Sequence, residues 1–61
     1  MANWAVFTVN PRINGPGAYT LHSIHGDENG ARSASSKASD LEDKGILAIA
    51  IDLDSDDPRR W

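Results

Sequence analysis

The segment from residue 46 to residue 57 most constrains the fold, because it begins as the most apolar run of the chain and ends as the most acidic. Large aliphatic residues alternate along it with small and acidic ones: the aliphatic row is Leu47, Ile49, Ile51 and Leu53, and Ile46, Ala48, Ala50, Asp52 and Asp54 lie between them. A period of two predicts a β-strand with one strongly apolar face. We therefore expect the aliphatic row to form the core and the strand to carry carboxylates to one edge of the molecule.

The length of the chain limits it to a single small domain, residues 1–61, with a correspondingly small core. It contains no cysteine, which excludes disulfides and thiolate zinc sites and agrees with a reducing compartment. The sequence shows no signal peptide and no apolar run long enough to span a membrane. We expect a cytoplasmic protein (in the host cytoplasm if it is phage-encoded) with no membrane partner.

Two further strands are predicted before residue 26. Residues 4–9 are rich in aromatic and β-branched side chains, with apolar groups on both faces, which predicts a strand that is central or covered on both sides. Residues 10–17 contain two prolines and two glycines and form a loop. Residues 18–25 form the second strand, and strict alternation would place four of its side chains on one face: Tyr19, Leu21, Ser23 and His25. A turn over 26–30 follows, in which Asn29-Gly30 can supply positive φ angles.

Residues 31–44 favour a helix, since Ala31, Ala34, Ala38 and Leu41 recur at helical spacing and Gly45 suits its end. We expect it to cover at least 37–44 and to begin near Ser33. Serines disfavour helix interiors, and residues 39–42 match a capping box, so a later start is the alternative, with 31–36 as a weak extra strand. The predicted fold is α+β: a small, mostly antiparallel sheet of three or four strands with one short helix, in the order β-β-α-β or β-β-β-α-β.

The acidic run resembles the start of a calcium-binding loop in spacing only. Asp52, Asp54 and Asp56 match the first ligands of an EF-hand, but the sixth position requires Gly and is Asp57. His22 and His25 lie three apart on a strand and point to opposite faces, so they do not form a metal pair. We expect no metal and no other cofactor.

Enzymatic activity is not indicated by any motif of the sequence. There is no cysteine nucleophile and no G-x-S-x-G elbow, and the glycine-rich loop lacks the Gly-Lys-Ser/Thr ending of a phosphate-binding loop. The net charge of −3 and the scattered distribution of the six basic residues argue against direct nucleic-acid binding. We therefore expect a non-enzymatic protein that binds other proteins.

The acidic edge is the predicted contact surface for a basic partner protein, because complementary charge steers association. Its residues are Asp52, Asp54, Asp56 and Asp57. A second set could extend it, from the predicted helix and from the short basic-aromatic tail at 58–61: Asp40, Glu42, Asp43, Arg59, Arg60 and Trp61. Trp and Arg are enriched at interface hot spots.

Small, acidic, cysteine-free chains resemble the inhibitors made by phages and mobile elements, such as anti-CRISPR and anti-restriction proteins. The resemblance is one of size and composition, and no motif carries it. It implies an inhibitor whose acidic edge blocks a basic, nucleic-acid-binding surface of its partner protein. The alternative is a structural domain that completes its small core by homodimerisation through the strand at 46–53.

Overall fold

The computed structural model describes residues 3–60, which form a three-stranded antiparallel sheet with one α-helix on one face. The strands are β1 (Trp4–Val9), β2 (Tyr19–His25) and β3 (Ala48–Asp52), and the helix α1 is Gly30–Asp43. Short 3-10 helices lie at Pro16–Ala18 and Pro58–Arg60. The α+β prediction is confirmed, in the order β-β-α-β, and no extra strand forms at 31–36.

β1 is the central strand, with β2 and β3 on either side in the order β2-β1-β3. Both neighbours run antiparallel to β1 and hence parallel to each other, and α1 connects them across β1. Ala5, Val6 and Phe7 are all fully buried, so both faces of β1 are covered, as its sequence predicts. At 14 residues, with many polar side chains, α1 could not cross a membrane, and residues 3–60 form no longer helix.

α1 begins at Gly30, before the predicted start near Ser33, and Asn29 precedes it as N-cap residue without a side-chain cap. The absence of a side chain at Gly30 lets this end of the helix lie against β2, since a Cβ there would collide with the carbonyl oxygen of His25. Gly30 does not have a positive φ, so the prediction of such a turn at Asn29-Gly30 is wrong. Asn29-Gly30 instead begins α1, because only a residue without a side chain can start the helix in such close contact with β2.

The C-terminal end of α1 agrees with its prediction. Gly45 has a φ of 83°, its N–H donates to the carbonyl of Glu42 at 2.9 Å, and the Ile46 N–H donates to the carbonyl of Leu41 at 2.9 Å. This pair of hydrogen bonds is a Schellman motif, which satisfies carbonyls that the end of the helix leaves open.

The core beneath α1 consists mainly of small side chains, contrary to the prediction from the aliphatic row. Its buried members are Val6, Ala34, Ala38, Leu41 and Ala48, with Trp4 and Ala50 packed against them. Ala50 lies opposite Val6 on β1, so the small-residue face of β3 is the one beneath the helix. An alternating pattern identifies two faces but not which of them a helix covers, and the alanines of α1 can approach closely only over small residues.

The aliphatic row lies on the second face of the sheet, around the buried ring of Phe7. Ile49 is opposite Phe7 and is half-buried, whereas Leu47 is 52% exposed. The Arg59 guanidinium covers the Phe7 ring at 5.6 Å from its centre, and the two 3-10 helices contact each other. The second face is thus covered at its centre by short turns and left open at its margins.

A register shift in the pairing of β1 with β2 changes which β2 side chains share a face. Pairing passes from Val6↔Ser23 to Phe7↔Leu21 and leaves His22 without a partner in β1. Strict alternation predicted that Leu21 and Ser23 share a face, but the shift places them on opposite ones. Ser23 remains on the same face as His25, and its Oγ contacts His25 Nε2 at 2.9 Å.

Exchanging large and small residues on β3 tests the assignment of its two faces. Ala48→Leu should lower the free energy of unfolding by about 1–3 kcal/mol, because the space beneath α1 is already filled. Leu47→Ala should lower it by about 1 kcal/mol or less, because half of that side chain already contacts solvent. Urea denaturation measures both, and a larger loss for Leu47→Ala would contradict the assignment.

A glycine series tests the close contact between α1 and β2. Gly30→Ala should lower the free energy of unfolding by about 1–3 kcal/mol, because the new methyl group collides with the His25 carbonyl. Gly17→Ala is the matched control, since a Cβ there meets only the Ile13 side chain at 3.8 Å, an ordinary contact. Equal stabilities of the two variants in urea denaturation would show that α1 does not press against β2 at Gly30.

Candidate functional site

The acidic residues after β3 form a tight turn in which Asp52 is the organising residue. Its backbone carbonyl accepts hydrogen bonds from Ser55 N at 3.1 Å and Asp56 N at 3.0 Å. Its carboxylate accepts from Asp54 N at 3.0 Å and from Ser55 Oγ at 3.4 Å. A carboxylate that bonds the backbone two residues on is a common way to fix a turn. Asp52 therefore holds the turn together and is half-buried within it.

Asp57 has a second structural role, at the start of the final 3-10 helix. Its Oδ1 accepts from Arg59 N and from Arg59 Nε, each at 3.0 Å, and its Oδ2 is 2.8 Å from Arg59 Nη2. The hydrogen bond from the Arg59 side chain lowers the pKa of Asp57 from 3.8 to about 2, and the backbone bond adds to this effect. The same ion pair raises the pKa of Arg59.

The Asp57–Arg59 pair connects the acidic turn to the core. The guanidinium that binds the Asp57 carboxylate also lies over the Phe7 ring, an arrangement in which a cation is attracted to an aromatic face. Pro58, between the two charged residues, is fully buried. The turn is consequently anchored to the central strand rather than held only by its own hydrogen bonds.

Two of the four predicted acidic-edge residues, Asp54 and Asp56, are exposed at the surface of this turn. Asp54 Oδ2 accepts a hydrogen bond from Asn3 N at 3.2 Å, and Asp56 Oδ1 accepts one from Asp57 N at 2.9 Å. A shallow, open concavity of about 350 Å³ lies beside them, lined by Leu53, Asp54, Ser55, Asp56, Asp57 and Arg60. Its carboxylate rim and its leucine could accommodate a basic side chain with an apolar stem.

The structure brings two further carboxylates, Asp27 and Glu28, to the same end of the molecule. β2 and β3 run parallel to each other, so the segments that follow them leave the sheet at one end. Both residues are exposed, and Asp27 Oδ1 accepts a hydrogen bond from Asn29 N at 3.0 Å. Sequence reasoning missed this pair. The topology of the sheet is the signal that could have found them. Two strands that flank one antiparallel partner run parallel to each other, so both end at the same end of the sheet.

The predicted contact residues of α1 do not join this acidic end, whereas Arg59 and Arg60 lie beside it. Asp40, Glu42 and Asp43 lie in the last turns of α1, at the end of the sheet where β3 begins. Arg60 lines the concavity beside the turn, and Arg59 is bound to Asp57. Trp61 lies outside the described residues.

Within residues 3–60, no three His, Asp or Glu side chains are placed to hold a metal ion together. Comparison with known proteins finds no matching family model, no matching curated protein and no matching solved structure. The geometry of the acidic end is therefore the basis for a functional proposal.

Acid denaturation should reveal the Asp57–Arg59 pair. The folded-state pKa of Asp57 is depressed, so the pair stabilises the fold above about pH 5 and the contribution is lost as the pH falls from about 4 towards 2. Asp57→Asn should thus be less stable than the native chain at pH 7 and should approach it at pH 2. Urea denaturation across this range measures the difference.

Arg59→Gln provides the comparison for that experiment. It removes the same ion pair, so part of its destabilisation should also fade by pH 2. The remainder, from the lost contact with Phe7, should persist at low pH because it does not depend on the charge of Asp57. A constant difference between Asp57→Asn and the native chain from pH 7 to pH 2 would contradict a structural role for the pair.

Proposed function

We propose that the chain is a small protein-binding module that uses its acidic end to contact a basic surface of a partner protein. The acidic end is defined by four exposed carboxylates: Asp27, Glu28, Asp54 and Asp56. The observation that carries the proposal is the ordered turn after β3, where Asp52 and Asp57 are half-buried and fix the backbone. Asp54 and Asp56 also accept backbone hydrogen bonds there, but their side chains are exposed. A turn already ordered before binding loses little conformational entropy when it meets its partner.

The finer form of the proposal is an inhibitor that competes with nucleic acid. Carboxylates grouped at one end of the molecule can bind the Arg and Lys side chains that otherwise bind phosphates, since these cations form charge-assisted hydrogen bonds with both groups. In this form the chain binds a nucleic-acid-binding protein of the kind that anti-CRISPR and anti-restriction inhibitors block. The negative net charge supports this form, because it favours basic protein surfaces over nucleic acid.

Exposed aliphatic side chains support protein binding as well. Leu21 is 38% exposed and Ile24 is 57% exposed on β2, and Ile24 lies on the part of that strand nearest the acidic end. Interfaces combine an apolar centre with a polar rim. The aliphatic patch beside the carboxylates fits such an arrangement.

Capture from the lysate of the native host tests the proposal when the bait is compared with two matched variants. Asp54→Asn with Asp56→Asn removes two of the four negative charges of the acidic end, and Asp40→Asn with Asp43→Asn makes the same change in charge at the other end of the molecule. A partner captured by the native chain should bind the first variant about tenfold more weakly, a change of about 1.4 kcal/mol, and the second almost unchanged. Calorimetry at low and high salt quantifies the affinities.

The outcomes separate the broad proposal from its finer form. Equal binding by both variants, or binding that is insensitive to salt, would show that the acidic end is not the contact surface. A captured partner that still binds nucleic acid when saturated with this chain would contradict the inhibitory form and leave the binding proposal standing.

A further inference from the structure

The dipeptide Asn-Gly occurs twice in the chain, at Asn14-Gly15 and at Asn29-Gly30. In such a pair the backbone nitrogen of the glycine can attack the side-chain amide of the asparagine, because glycine has no side chain to hinder the approach and its backbone turns freely. The two dipeptides have the same intrinsic chemistry, so the fold decides which of them can react. One lies in the loop between β1 and β2, and the other at the start of α1.

The loop leaves the peptide group between Asn14 and Gly15 free to rotate. Both residues are exposed, and within residues 3–60 the Asn14 side chain, the Asn14 carbonyl and the Gly15 N–H make no hydrogen bond. Gly15 has a φ of 89°, and a Cβ at this residue would meet no atom beyond its chain neighbours within 4 Å. The Gly15 nitrogen can therefore be brought to the Asn14 amide without the loss of a hydrogen bond.

The fold instead locks the peptide group between Asn29 and Gly30. Its N–H donates to the carbonyl of Asp27 at 3.0 Å, and its carbonyl accepts from Ser33 N at 2.9 Å. A ψ of 17° at Asn29 turns the Gly30 nitrogen away from the Cβ that carries the amide. Gly30 is also buried against the carbonyl of His25. Attack at Asn29 would therefore require both hydrogen bonds to break and the start of α1 to move.

We propose that Asn14 is a site of spontaneous deamidation in the folded protein, and that the fold protects Asn29 from the same reaction. The Gly15 nitrogen loses its proton to a solvent base and attacks Cγ of Asn14. A bond forms between this nitrogen and Cγ as the bond from Cγ to Nδ2 breaks. Nδ2 takes up a proton and leaves as ammonia, and the two residues are left joined through a five-membered cyclic imide.

Water then opens the imide at either of its two carbonyl carbons. Cleavage of the new bond to Cγ yields an aspartate at position 14, whereas cleavage of the original peptide bond yields an isoaspartate, in which the main chain passes through the side chain. Either product has taken up one water and released one ammonia, without oxidation or reduction. The net charge of the chain changes from −3 to −4 near neutral pH. This inference does not depend on the proposed function, because it rests on the loop rather than on the acidic end.

The loop can accept this change because its two ends are fixed to each other beside the sheet. Asn10 N donates to the carbonyl of Ala18 at 2.8 Å, and Ala18 is buried. Arg12 N donates to Asn10 Oδ1 at 3.0 Å, which holds the turn that precedes Asn14. The altered backbone therefore lies between fixed points, and we expect the modified chain to keep the circular dichroism spectrum of the native chain.

Ageing of the native chain at neutral pH, with and without urea, separates the effect of the fold from that of the sequence. Cleavage after Arg12, Glu28 and Arg32 places the two asparagines in different peptides, whose masses reveal the exchange of an amide for an acid. An unaged sample digested in the same way gives the starting level. In the folded chain we expect Asn14 to convert at least about tenfold faster than Asn29, because the barrier at Asn29 includes the loss of two hydrogen bonds. In urea the two rates should agree within about threefold, because no fold then protects Asn29.

Two glutamine variants provide the matched controls, because attack on the longer side chain would have to close a larger ring that forms less easily. Asn14→Gln should remove most of the acidic form that accumulates in ion-exchange chromatography. Asn29→Gln, at a residue whose side chain does not cap α1, should leave the rate at which this form appears unchanged. Equal conversion of both asparagines in the folded chain would overturn the proposal. So would an Asn14 that stays intact in the folded chain while it converts in urea, or a converted chain that has lost the native circular dichroism spectrum.

Discussion

The close approach of α1 to the sheet is the constraint on which the rest of the structure depends. Gly30 lies against the carbonyl of His25, and farther along the helix Ala34 and Ala38 pack over Val6 and the alanines of β3. Each of these small side chains buries little apolar area. The contact between α1 and the sheet is therefore stabilised by close packing rather than by large buried side chains. A helix so near the sheet also dictates which face of β3 it covers, and the large aliphatic side chains must occupy the other.

The second face therefore needed another cover, and the end of the described chain supplies it. Arg59 spans from the Asp57 carboxylate to the Phe7 ring, and Pro58 is buried beside them. An arginine whose charge is already paired can lie over an aromatic ring with less loss of solvation than an unpaired one. Through Arg59, the acidic turn is connected to the Phe7 ring on the second face of the sheet. The surface proposed to bind partners therefore also helps to stabilise the fold.

The α+β class, the three strands and the helix could be predicted from the sequence, with residues 31–36 left open between helix and strand, because periodicity, turn residues and the glycine at position 45 are local signals. Three features could not. The true start of α1 depends on the fit of Gly30 against His25, a contact between segments. The covered face of β3 depends on the small residues of α1, and the register shift at His22 depends on its pairing with β1.

The candidate site could likewise be predicted from the sequence only in part. The acidic run itself is visible in the sequence, but the fold determines that Asp52 and Asp57 are half-buried while Asp54 and Asp56 are exposed. The position of Asp27 and Glu28 beside the acidic turn follows only from the parallel directions of β2 and β3. The position of Asp40, Glu42 and Asp43 at the other end of the molecule follows from the direction of α1. The sequence pattern shows which residues are charged, whereas the topology of the fold determines which of these residues lie at the same end of the molecule.

The central position of β1 has a consequence for how the chain acquires its structure. The first strand is flanked on one side by β2, its neighbour in sequence, but on the other by β3. Leu53 N donates to the carbonyl of Asn3, which lies fifty positions earlier in the sequence. Contacts of such long sequence separation slow folding, since a large loop must close before they form. During synthesis, β1 and β2 would emerge from the ribosome as a hairpin whose open side has no partner. The native sheet can close only after β3 has been released as well.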